Sequence, residues 1–81
     1  MYYHEIMRIV DDKIFTKREK EVILLVLSGK KKREIADVLY LSISTIKANV
    51  EHIYQKLNVH NKVELIFYLI KHNMIEIEES K

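Results

Sequence analysis

The sequence predicts an all-α fold, a four-helix bundle with a short additional helix at the N-terminus. Three observations carry that expectation. The 81 residues hold no proline and one glycine, so little interrupts a helix. Apolar residues recur at three- and four-residue steps, the period of a helix with one buried face. Thr16, Ser42 and Asn61 each stand just ahead of such a stretch, where a side-chain oxygen can accept from the free backbone N–H groups of a helix start.

Tyr3, Ile6, Met7 and Val10 recur at i, i+3, i+4 and i+7 and predict a first, short amphipathic helix ending near Asp11 and Asp12. Thr16 and Glu19 have the spacing of a capping box, and Phe15 precedes them as a hydrophobic staple. Val22, Ile23, Val26 and Leu27 form the inward stripe of a second helix, Lys17 to Ser28, stopped by Gly29 in a left-handed conformation. Ile35, Val38 and Leu39 mark one face of a third, Lys32 to Tyr40, in which Ala36 is small enough to admit a neighbouring helix. Ser42 caps a fourth, Ile43 to Leu57, whose core face is Ile46, Val50, Ile53 and Leu57. Asn61 caps a last helix reaching about His72, before an acidic and frayed tail. The layout is an extension over 1–14, the bundle over 15–74 and the tail over 75–81.

Composition narrows the function. One domain of 81 residues has little room for a catalytic cleft. With no cysteine, disulfides and thiolate metal sites are impossible, and no apolar run approaches the ~18–20 residues that span a bilayer. A cytoplasmic chain without a membrane partner is expected. His4, His52, His60 and His72 offer no metal-binding spacing. Glu19, Glu21 and Glu34 are explained as caps and surface ion-pair partners, and no nucleophile or phosphate loop accompanies them, so neither an enzyme nor a cofactor is expected. Tyr40, Tyr54 and Tyr68 fall beside inward stripes and predict rings at the edge of the core with wet hydroxyls. The net charge is only +2, but residues 16–62 carry ten basic and five acidic side chains while both flanks are net acidic. Positive potential gathered in the middle of the chain suits a polyanion met by one face.

Helices at Lys32–Tyr40 and Ile43–Leu57, joined by a tight turn at Leu41 and Ser42, have the layout of a helix-turn-helix, whose second helix enters the DNA major groove by its N-terminal turns. With the isoleucines and valine facing inward, Ser44, Lys47, Ala48 and Glu51 face out on the early turns, with His52 and Gln55 beyond. Small residues at the tip suit a groove ~12 Å wide that only just admits a helix.

Several segments in order, TKREKEV (Thr16–Val22), Gly29, KREIA (Lys32–Ala36), LSISTIK (Leu41–Lys47) and KLNVHNK (Lys56–Lys62), resemble the DNA-binding domain of the LuxR family, also called GerE-like. The resemblance spans about residues 15–70. It implies a transcription regulator that binds double-stranded DNA. It implies that Lys47, Ala48 and Glu51 face base edges, while Ser44, Thr45, Asn49, Lys56 and the basic turn at Lys30 and Lys31 touch phosphates. It also implies a homodimer through the last helix, for which Val63, Ile66, Phe67 and Ile70 are the candidate contacts. RNA polymerase and another regulator are further candidate partners. A competing reading is a protein-binding module that sequesters another regulator through the apolar last helix.

Departures from the family pattern bear on base choice. Asn49 stands where many members have histidine, Glu51 where many have a polar or basic residue, and Lys62 where many have arginine. Glu51 repels phosphate, so in a groove it accepts from a cytosine N4 or orients a neighbour, and outside one it pairs with Lys47 four residues earlier. Lys30 and Lys31 replace a small capping residue; a lysine cannot cap a helix N-terminus and is disfavoured by its dipole, and phosphate contact would explain why both are tolerated.

Overall fold

The computed structural model describes residues 7–9 and 13–77. Four helices make up its body, α1 (Lys17–Leu27), α2 (Lys32–Leu39), α3 (Ile43–Leu57) and α4 (Lys62–Lys71). A two-stranded antiparallel ribbon, β1 (Met7–Ile9) with β2 (Ile75–Ile77), joins the two ends of the chain. The all-α class stands, with helix limits within two residues of those read from the sequence.

Local chemistry sets where each helix starts. Thr16 Oγ1 accepts from Glu19 N at 3.0 Å and Glu19 Oε1 accepts from Thr16 N at 2.9 Å, a complete capping box. Ser42 Oγ accepts from Thr45 N, and Asn61 Oδ1 from Glu64 N. Lys31 is the N-cap of α2 without a side-chain cap; Glu34 Oε1 accepts from its N–H at 2.8 Å and satisfies one of the free donors instead.

All four helices end in the same way. A residue with positive φ follows, namely Gly29, Tyr40, Asn58 and Asn73, and the next N–H reaches back five residues to a carbonyl. These are Schellman closures, as in Lys30 N to Leu25 O and Leu41 N to Ala36 O.

Ile23, Ile35, Ile46, Ile53, Leu65, Leu69 and Val22 are the fully buried side chains, drawn from every helix. The seam lined by Val22, Ile53, Tyr54 and Leu65 has no room for a water molecule. Ile46, Val50, Ile53 and Leu57 all face inward, so the orientation of α3 follows from its periodicity. Phe15 joins this core rather than stapling α1, since the position it would meet on the helix is Lys20.

Four further expectations are corrected. The N-terminal helix is not formed at Met7–Ile9, which is a strand; Tyr3, Ile6 and Val10 lie outside the described residues. A helix of so few turns is marginal alone, and pairing with Ile75–Ile77 satisfies the backbone instead. The tail is therefore not frayed from 75, and residues 78–81 lie outside the description. Val38 is 51% exposed, because the buried face of α2 is centred on Ile35, Ala36 and Leu39, from which Val38 is turned by roughly 100°. Tyr40 is 94% exposed rather than at the core edge, while Tyr54 and Tyr68 do pack against the core. Its left-handed conformation swings it out of the helical stripe to which its spacing assigned it.

Candidate nucleic-acid interface

Packing of α2 against α3 across the turn Tyr40–Ser42 builds the helix-turn-helix. Burial of one face of α3 leaves Ser44, Thr45, Lys47, Ala48, Glu51, His52 and Gln55 exposed, with Asn49 half-buried beside them. Serine and alanine at positions 44 and 48 keep the outer face of the first turns low. At its start, the hydroxyls of Ser42 and Thr45 are 2.9 Å apart. Thr45 is thereby committed to the cap through both its backbone N–H and its hydroxyl.

Lys47 and Glu51 are both exposed and form no ion pair with each other among the described residues, so the Lys47 ammonium is free for an anion. Lys30 and Lys31 are exposed in the loop before α2 and likewise uncommitted, and Lys32 and Arg33 on its first turn extend the same cationic run. The missing small cap singles out Lys30 and Lys31 in the sequence, whereas Lys32 and Arg33 lie on the helix itself, where an exposed cation needs no explanation. α2 starts after Lys31 without a side-chain cap, and Lys32 and Arg33 directly after it are exposed as well.

Lys56 is placed differently from the other site lysines. Its Nζ donates to Glu19 Oε1 at 2.7 Å and to the Ile14 carbonyl at 2.9 Å, and lies 5.8 Å from the centre of the Phe15 ring. The ammonium fastens the C-terminal half of α3 to the start of α1, and satisfying a phosphate as well would mean sharing or giving up these contacts. His52 Nε2 stands 3.6 Å from Glu19 Oε2 on the same side. Burial alone would raise the Glu19 carboxyl, but the Lys56 hydrogen bond, the Thr16 N–H and the charges of Lys56 and His52 together hold it below the ordinary value of 4.5.

A carboxyl depressed on folding stabilises the fold while it is ionised, and that stability is lost as pH falls from the unfolded value through the folded one. Thermal unfolding of the unmodified chain should therefore soften below about pH 4.5, and Glu19→Gln should flatten that part of the profile. A profile unchanged by Glu19→Gln would show that the Lys56 staple contributes nothing. At neutral pH the substitution should cost about 1–2 kcal/mol, since the cap and the staple both weaken.

On α4, Val63, Phe67 and Ile70 are 57%, 67% and 53% exposed, at i, i+4 and i+7. They form one apolar stripe opposite the buried Leu65 and Leu69, with Ile66 half-buried at its margin. No group of histidine, aspartate and glutamate suited to a metal ion occurs among the described residues, and none of the described helices is long and apolar enough to cross a membrane.

Comparison with known proteins bears on this geometry. Residues 13–69 match the family of bacterial regulatory proteins designated luxR, or GerE. The chain is 39% identical over 64 residues to the oxygen regulatory protein NreC of Staphylococcus carnosus, covering 79% of this chain and 30% of that protein. It is 35% identical over 63 residues to the response regulator protein VraR of Staphylococcus aureus, covering 78% of this chain and 30% of that protein. The chain thus spans under a third of the length of these relatives. A helix-turn-helix with its second helix exposed on one small polar face, and a family match over most of its length, lead to one conclusion: the chain belongs to the LuxR family of bacterial regulatory proteins.

Proposed function

We propose that this chain binds double-stranded DNA in a sequence-specific manner and regulates transcription, with α3 in the major groove. The observation that carries the reading is the division of α3 into a fully buried face and a free outer face whose first turns hold Ser44, Lys47 and Ala48. The uncommitted cations Lys30 and Lys31 supply phosphate contacts that hold register, and Lys47, Ala48 and Glu51 meet base edges. Ser44 and Asn49 flank the groove contacts, and Thr45 assists through its hydroxyl. Lys56 serves the fold first, because its ammonium is held by Glu19 and the Ile14 carbonyl.

Two copies paired through Val63, Ile66, Phe67 and Ile70 would address half-sites about one turn, ~34–36 Å, apart. The protein works in the cytoplasm on the bacterial nucleoid and needs no catalytic group. RNA polymerase is a candidate partner for a DNA-bound regulator.

Selection from random duplexes, followed by binding at several salt concentrations, tests the reading. Affinity should fall steeply with salt, and Lys30→Ala or Lys31→Ala should each lower the slope by roughly one unit, equally on every sequence. Salt-independent binding, or none, would favour the protein-binding module that sequesters another regulator through the α4 stripe.

A further inference from the structure

Of the four helix ends closed by a residue with positive φ, three use glycine or asparagine, the residue types that adopt this conformation most readily. The fourth is Tyr40, at φ 57° and ψ 43°. A large aromatic residue in this region is strained, and such strain persists where something other than local preference maintains it. Packing does not maintain it, since the side chain is 94% exposed. The Schellman closure, with Leu41 N donating to Ala36 O, holds the backbone turn, but no internal bond calls for a tyrosine in it, since the phenol has no hydrogen-bond partner among the described residues. The fold would be served better by glycine. The tyrosine stands two residues before Ser42, the N-cap of α3, in the turn of the helix-turn-helix.

We propose that Tyr40 is a DNA-contacting residue whose phenolic O–H donates to a backbone phosphate beside the groove entered by α3. This inference rests on the groove-docking reading above. Its support is placement and chemistry: the turn leads directly into the helix end that enters the groove, and tyrosine is among the side chains that donate to phosphate. Left-handed geometry at the C-cap of α2 projects the ring away from the bundle, and this is what a reach toward the DNA backbone needs. Because the phenol is neutral, it adds affinity without releasing a counterion. It therefore differs from the lysines in its salt signature.

Binding of the full chain to a fluorescein-labelled duplex of mixed sequence, followed by anisotropy across a salt series, tests this. Tyr40→Gly should melt about 4 °C higher than the parent, because strain is relieved, yet bind the duplex roughly tenfold more weakly with an unchanged salt slope. Tyr40→Phe should match that loss of affinity with no gain in melting temperature. Opposite signs in stability and affinity separate a lost contact from a damaged fold. Parental affinity in Tyr40→Gly overturns the proposal. Parental affinity in Tyr40→Phe alone overturns the hydrogen bond. Intact DNA binding of Tyr40→Gly with altered transcription from the operator would assign Tyr40, with the exposed Val38 and Ile43 near it in the chain, to a protein partner and so overturn it too. If the parent shows no salt-dependent binding, the groove-docking reading fails first, and this contact fails with it.

Discussion

Lys47→Ala is expected to weaken binding to the selected operator by about 1–3 kcal/mol, a loss of roughly fivefold to more than a hundredfold. The reason lies in how α3 is anchored. Ile46 and Val50 are buried on either side of Lys47, so the backbone at 47 is held and its side chain leaves from the exposed face of α3. Its ammonium is free of any partner among the described residues, so nothing within the fold is lost when it is removed. Stability should accordingly stay within about half a kcal/mol of the parent, as for an exposed substitution. A base contact further predicts that the loss is much smaller on a mixed-sequence duplex than on the operator. Anisotropy on both duplexes measures this directly. Equal losses on the two would reassign Lys47 to phosphate, and no loss on either would remove α3 from the groove.

Phe67→Lys is expected to convert a dimer into a folded monomer and to reduce operator affinity by roughly a hundredfold to ten-thousandfold. That is the factor by which two linked binding events exceed one. Phe67 lies at the centre of the stripe that Val63 and Ile70 complete, and at 67% exposure it takes little part in the core. A lysine there should leave the helix intact, since Leu65 and Leu69 on the opposite face carry its burial. In a dimer, two lysines brought together at an isologous contact would repel and lose their water. Sedimentation of parent and variant, with helicity followed in parallel, decides the matter. A parent that sediments as a monomer at high concentration would contradict the dimer. A variant that unfolds would be replaced by Ile70→Lys, which is also more than half exposed.

The parts of the fold that local chemistry controls were legible in the sequence, and particular residues show why. Thr16, Ser42 and Asn61 cap where their spacing predicts, because a cap is a contact between residues three apart. The inward face of α3 follows from a period that needs no partner to be recognised. Lys30 and Lys31 were readable as cations in the wrong place for a cap, and Lys31 does begin α2 with no side-chain cap.

Tertiary structure decided the rest. Lys56 resembled a phosphate ligand by position, but its partners Glu19 and Ile14 are 37 and 42 residues away in the chain. Spacing along one helix carries no information about such a pairing. Met7–Ile9 had helical periodicity, yet a strand from the far end of the chain supplied its hydrogen bonds. Val38 and Tyr40 had stripe spacing in a helix too short to reveal where its buried face was centred. By itself the sequence determined four helices, their ends and the outward-facing residues of α3, because these depend on contacts within a few turns. Only the tertiary structure decided which cations stay free, how the chain ends join and where Tyr40 projects, because each depends on groups brought together from distant parts of the chain or on a backbone turn that periodicity does not encode.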